Sequence, residues 1–118
     1  MTVTDTLKQM VEEGVTGFPG VPTIYAILAE MKTLKDYDFS KIRYVTNTAA
    51  ALPVKHILVL KELFPRARIY SMYGLTECKR CTYLPPAELS RRPTSVGIAI
   101  PNTELWIEDD AGKRVPPN

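Results

Sequence analysis

With a single histidine, His56, the sequence has little from which to build a histidine-based active site. A Ser-His-Asp or Cys-His enzyme needs that ring oriented by further groups. His56 stands beside Lys55 near the start of an expected helix, with no such partners in the pattern, and is read as a surface residue. Cysteine is scarce too, at two residues, Cys78 and Cys81. A structural zinc site takes four ligands, and there is no second pair. Two cysteines, with no basic segment followed by an apolar one at the N-terminus, lead us to expect a reducing, cytoplasmic setting. No apolar run approaches the length of about 20 residues that a membrane-spanning helix needs. One-sided charge is missing too: 15 Lys and Arg against 13 Asp and Glu leave a net charge of +2. The cations are scattered, and Arg91-Arg92 reads as solvated charge, so nucleic acid is not an expected partner. No internal repeat or low-complexity segment is present.

What remains is an ordinary globular composition of domain length, 118 residues with 45% hydrophobic content, enough for one modest core. The order of its segments carries the fold. Asp5–Gly14 reads as a helix, because Leu7, Met10 and Val11 share a face; Asp5 or Thr4 would cap its start and Gly14 its end. Val15–Phe18 is a short buried strand. Pro19-Gly20-Val21-Pro22 is a turn whose last proline suits the first position of a helix. That helix carries Ile24, Ile27, Leu28 and Met31 as an apolar stripe. Lys32–Lys41 is polar and is expected to be a surface loop. Ile42–Thr46 is β-prone, and Asn47–Ala51 is a loop of small side chains. A helix opens at Pro53 and runs to about Phe64, with Ile57, Leu60 and Phe64 on one face. Pro65 stops it, and Ala67–Ser71 is the third strand.

Strand–helix–strand–helix–strand alternation predicts an α/β fold with parallel pairing and right-handed crossovers. Both the loop at Asn47–Ala51 and the one at Met72–Glu77 then follow strands and open on the same sheet edge. After Cys81 the chain is punctuated by proline, from Leu84 to Pro93. Thr103–Glu108 alternates as a strand and Asp109–Lys113 is a turn. Trp106 and Tyr25 have apolar neighbours and are expected in the core.

The stretch Ser71-Met72-Tyr73-Gly74-Leu75-Thr76-Glu77 is where chemistry concentrates. In open α/β sheets, ligands bind outside the carboxyl ends of the strands. There Tyr73 can stack on a base, Gly74 admits a close backbone approach, Thr76 can hydrogen-bond a phosphate, and Glu77 can hold a hard cation such as Mg²⁺. Cys78-Lys79-Arg80-Cys81 has the spacing of redox motifs, but it follows this loop rather than opening a helix. The pair is read as two ordinary cysteines, and a small thiol-redox protein is the weakest reading.

Tyr73-Gly74-Leu75-Thr76-Glu77 resembles the Tyr-Gly-x-Thr-Glu motif of the adenylate-forming superfamily, which holds acyl-CoA synthetases, luciferases and peptide-synthetase adenylation domains. Three more segments match in the right order: Val15–Thr23, Thr48–Leu52 at the place of the adenine loop, and Ser95–Asn102. The likeness spans about Val3 to Pro117 and corresponds to a middle slice of a family member. It implies a three-layer type of parallel sheet with flanking helices over residues 1–83. Residues 84–118 would be a linker and the start of a small, incomplete β-barrel. It implies ATP-dependent activation of a carboxylate to an acyl-adenylate, followed by transfer to a thiol, commonly coenzyme A. By the family's pattern Tyr73 stacks on adenine, Ala49, Ala50 and Ala51 flank it, Thr76 contacts phosphate and Glu77 binds Mg²⁺. Ser71, Met72 and Gly74 complete the ATP/AMP-contacting set. Two departures stand out. The family usually has glycines where Thr48 and Ala49 stand, and often a longer amide or carboxylate where Ser71 stands. The Ser/Thr/Gly-rich phosphate loop, the Thr-Gly-Asp ribose segment and the C-terminal lid are missing. We therefore expect a fragment that does not catalyse acyl activation by itself. We also expect an exposed sheet edge that could pair with another copy or with the remaining enzyme segments. The competing expectation is a non-catalytic interaction module that associates through that edge.

Overall fold

The computed structural model describes residues 2–116. Helix α1 runs from Val3 to Glu12, two residues earlier than the pattern suggests at its start. The reason is its cap. Thr2 accepts a hydrogen bond from the Asp5 amide, while the Asp5 carboxylate takes those of the Thr2 amide and hydroxyl. This reciprocal box satisfies amides that the first turn leaves free, and it holds the Asp5 carboxyl below its ordinary range. Neither Asp5 nor Thr4 is the cap itself. Gly14, at φ +63°, turns the chain out of the helix.

Strand β1 is Gly17–Gly20, not Val15–Phe18, and the expected turn at Pro19-Gly20 is strand. Glycine and proline are tolerated here for two physical reasons. β1 is at the edge of the sheet, where a missing N–H costs no ladder bond. A side chain at Gly17 would strike the Tyr44 ring, and one at Gly20 the Tyr25 phenol. Helix α2 follows as Pro22–Glu30, with Pro22 at its first turn. Its buried residues are Tyr25 and Leu28, with Ile24 and Met31 partly buried, while Ile27 of the expected stripe points outward. Tyr25 is fully buried, as expected, and its hydroxyl donates to the Thr46 carbonyl at 2.6 Å; burial pushes its phenol far up.

The segment Lys32–Lys41 is not a plain surface loop. A 3₁₀ turn, Lys32–Asp36, seats Leu34, and Phe39 packs edge-on against Phe64, with ring centres 5.1 Å apart. Strand β2 is Tyr44–Asn47, later than Ile42–Thr46, although Ile42 is buried ahead of it. Helix α3 is Val54–Leu63. Ile57, Leu60 and the following Phe64 are all buried on one side, as the spacing predicts, and Leu58 on the opposite side is 62% exposed. His56 is half-buried rather than superficial. Strand β3 is Arg68–Tyr73, longer than Ala67–Ser71.

β1, β2 and β3 pair in parallel in that order, with Gly20 opposite Asn47 and Asn47 opposite Ser71. Right-handed crossovers place consecutive helices of such a run on one face, and α2 and α3 do pack together. Val45 and Ile69 of β2 and β3 join the buried residues of both helices in one core. Two antiparallel strands then extend the sheet, β4 (Thr82–Leu84) on β3 and β5 (Ile98–Ala99) on β4. The result is an α/β sheet of five strands. A separate two-stranded hairpin joins β6 (Ile107–Glu108) to β7 (Arg114–Val115). Its turn is closed by Asp109 Oδ1, which accepts from the amides of Ala111 and Lys113. Trp106 is not in the core. It is 49% exposed, with the Arg114 guanidinium 3.8 Å from its ring centre and its indole N–H on Glu108. Among the described residues, no helix is long and apolar enough to cross a membrane.

Candidate functional site

The paired ends of β2 and β3 bring the two expected loops together. Asn47 and Ser71 are direct neighbours across the sheet, so the residues that follow Asn47 lie beside those that follow Ser71. Asn47 is 1% exposed, and its side-chain amide donates to the Ala50 carbonyl at 2.8 Å. The Thr48 amide bonds to the Gly20 carbonyl at 3.3 Å. These two bonds fix where the alanine loop leaves the sheet.

A cleft of about 440 Å³ opens there. Ala49, Ala50 and Ala51 form one wall, with Leu52, Pro53 and Val54 at the start of α3. Ser71, Met72, Tyr73 and Gly74 form the second. The third is Pro93, Thr94, Ser95 and Val96. Seven of the expected site residues are therefore gathered in one place. Ser71 reaches it from the strand, as expected, and Met72 and Tyr73 do so as well rather than from the expected loop. Tyr73 is 44% exposed.

The third wall is what the site assignment from sequence missed. It is held against β4 by the Thr82 hydroxyl, which donates to the Val96 carbonyl at 2.5 Å, while the Gly97 amide donates to Ser95 Oγ at 3.1 Å within the segment itself. Gly97 has φ +83°, and a side chain there would run into the Tyr83 carbonyl. The Ser95-Val96-Gly97 run was the available signal. Asn47, the anchor of the first wall, carried none beyond its place at the end of a strand.

Thr76 is not in this cleft. It lines a neighbouring depression with Thr48, Leu75, Cys78, Lys79, Arg80 and Ile100. Thr48 and Thr76 bring two hydroxyls there, and Lys79 and Arg80 two positive charges. Glu77 is exposed on the same loop. The loop is narrow. The Cys81 amide bonds to the Tyr73 carbonyl at 2.8 Å, and the Lys79 carbonyl lies where a side chain on Gly74 would be. The Cys78 and Cys81 sulfurs are in contact at 2.7 Å, Cys78 exposed and Cys81 buried. The adjacent Cys78 sulfur, and then burial, push the Cys81 thiol above its usual range.

Ala49 sits at φ +74°, a left-handed conformation that costs a non-glycine residue about 1–2 kcal/mol. Glycine, the residue the resemblance places there, would carry no such strain, but it would lose more entropy on folding by roughly 0.5–1 kcal/mol. Ala49 is exposed, so its methyl contributes no packing. Ala49→Gly is expected to stabilise the fold by about 0.5–1 kcal/mol on balance, read as a higher midpoint in urea.

The parallel strands of this α/β protein lead to one shared cleft at their carboxyl edge, the edge at which open α/β sheets bind ligands. The family model described as AMP-binding enzyme matches residues 1–118: the chain belongs to the AMP-binding enzyme family. It is similar to the long-chain-fatty-acid–CoA ligase of Bacillus subtilis, 32% identical over 96% of this chain and 20% of that protein. It is also similar to the L-proline–[L-prolyl-carrier protein] ligase of Streptomyces coelicolor, 31% identical over 86% of this chain and 20% of that protein. Among solved structures, the crystal structure of VinN matches with a TM-score of 0.84 and 38% identity, over 95% of this chain and 29% of VinN. The chain thus spans about a fifth of the length of the curated relatives it matches.

Proposed function

We propose that these residues are the nucleotide-binding portion of an AMP-forming acid–thiol ligase of the acyl-CoA synthetase type. The observation that carries this reading is the single cleft that joins Ala49–Ala51 to Tyr73. The small side chains of the first wall leave room for a planar ring against backbone, and Tyr73 offers it an aromatic face. Adenine stacks on Tyr73, flanked by Ala49, Ala50 and Ala51, with Ser71, Met72 and Gly74 beneath. Ser71 is too short to span the cleft, so backbone groups take over the recognition of the adenine amino group. The phosphates extend into the neighbouring depression, where the Thr76 hydroxyl donates to them and Lys79 and Arg80 balance their charge.

Glu77 and Thr76 are hard oxygen donors. Among the described residues, no three acidic, histidine or cysteine side chains cluster as a metal cage. A single carboxylate completed by phosphate oxygens is the usual way in which Mg²⁺ is held, so the residues present fit that ion. Bound there, it would offset charge on the departing pyrophosphate. In the whole protein, a carboxylate oxygen of the acid attacks the α-phosphorus and the bond to pyrophosphate breaks. The acyl-adenylate then gives its acyl group to a thiol, coenzyme A in this reading. A hydroxyl positioned at Thr76 orients the α-phosphate for attack. The β6–β7 hairpin is the start of the next subdomain, and the open edge of β1 is where remaining segments or a second copy would pair.

Titration calorimetry of this chain tests the nucleotide half of the proposal. AMP is expected to bind, and Tyr73→Ala to weaken it about ten- to a hundredfold, because base–aromatic stacking contributes about 1–3 kcal/mol. Glu77→Ala should weaken ATP only when Mg²⁺ is present. A folded chain that binds neither nucleotide, or binds AMP equally well without Tyr73, would sink the proposal.

A further inference from the structure

We infer that Cys78 and Cys81 form a dithiol that small-molecule disulfides close into an intramolecular bridge, and that closure fixes the loop carrying Thr76 and Glu77. The sequence alone gives two ordinary cysteines. The fold gives them a shared geometry: the sulfurs touch at 2.7 Å, one exposed and the other buried. That asymmetry assigns the roles. Cys78 can be reached by a reagent, and Cys81 can be reached by little except Cys78.

The chemistry needs an oxidant of the low-molecular-weight disulfide class, such as glutathione disulfide. The Cys78 thiolate attacks one of its sulfurs, forming a mixed disulfide and releasing one glutathione thiolate. The Cys81 sulfur then attacks the Cys78 sulfur of that mixed disulfide and expels the second. The protein loses two electrons and its two thiol protons. The two glutathione thiols produced carry both away.

The mechanical consequence follows from where the pair sits. Cys81 is at the loop's base, its amide bonded to the Tyr73 carbonyl, next to the β3–β4 pairing of Tyr73 with Thr82. Cys78 is at the tip, one residue past Glu77, and its amide reaches back to Leu75 at 3.2 Å. A bridge ties tip to base and limits the excursions of the residues between Leu75 and Cys78. The redox pair itself owes nothing to the nucleotide reading; only the importance of fixing Thr76 and Glu77 rests on it.

The test is to treat the folded chain with glutathione disulfide, then measure intact mass, free thiols and amide hydrogen exchange. Wild type is expected to lose both thiols, form no disulfide between chains and retain no glutathione. Cys81→Ser should hold one glutathione on Cys78, and Cys78→Ser should react at least tenfold more slowly, because its remaining thiol is buried. Amides of Thr76 and Glu77 should exchange at least tenfold more slowly in the oxidised chain, and dithiothreitol should reverse this. Persistent glutathione adducts, intermolecular disulfides or unreacted thiols in wild type would overturn the pairing. A closed bridge with unchanged exchange would overturn the control of the loop.

Discussion

Gly74→Ala is expected to weaken nucleotide binding by at least tenfold and to destabilise the fold by about 1–3 kcal/mol. The new methyl would fall on the Lys79 carbonyl, a backbone atom, so no side-chain rotation can relieve the clash. The bond between the Cys81 amide and the Tyr73 carbonyl closes the loop at its base and opposes its opening. Lys79 has little slack to give, since it already lies at φ +49°. Moving that bond moves Tyr73, and with it one wall of the cleft. Calorimetry with AMP, alongside urea unfolding, reads both effects. Unchanged affinity in a folded Gly74→Ala chain would mean that the close approach does not position Tyr73.

The second large effect is structural. Leu60 is fully buried on α3, in the core shared with Tyr25, Leu28, Val45 and Ile69. Leu60→Ala should cost about 2–5 kcal/mol, the lost transfer energy plus the cavity left behind. A domain of this size has only about 5–15 kcal/mol to lose, so the variant should be partly unfolded well below the wild-type midpoint. Leu58→Ala on the same helix is the control. Leu58 is 62% exposed, and its truncation should change stability by less than about 0.5 kcal/mol. Equal effects at the two positions would mean that α3 does not pack as described.

Much of this was legible from spacing. Ile57, Leu60 and Phe64 read as one face of a helix, and they are one face. The alternation of strands and helices gave parallel pairing and two loops on one edge. What was not legible depended on contacts across the sheet. Pro19-Gly20 reads as part of a turn because glycine and proline usually break structure, but the strand runs on through them, and the Tyr44 and Tyr25 rings need the space that side chains at Gly17 and Gly20 would take. Tyr73 reads as a loop residue because the apolar run stops at Ser71; its strand continues only because Thr82 pairs with it from the far side of the loop. A three-residue strand such as Thr82–Leu84 has too few positions for a period to show. Trp106 reads as core because its neighbours are apolar, yet it precedes a hairpin that forms its own two-stranded sheet, and the ring is held by Arg114 and Glu108 instead. For the site, seven of the expected residues meet in one cleft, while Thr76 lines the next depression and Glu77 is exposed on the loop between. The Pro93–Val96 wall carried a signal in Ser95-Val96-Gly97, but its distance along the chain gave no reason to place it against Tyr73.

The central claim is that the cleft between the alanine loop and Tyr73 is where the nucleotide sits. The most direct measurement is the map of backbone amide shifts when AMP is titrated into the labelled chain. The account predicts saturable shifts at Ala49 to Leu52, Ser71 to Gly74 and Thr94 to Val96, with Mg²⁺ and ATP extending them to Thr76 and Glu77. Shifts centred instead on the hairpin around Trp106, or none at all in a folded chain, would contradict it.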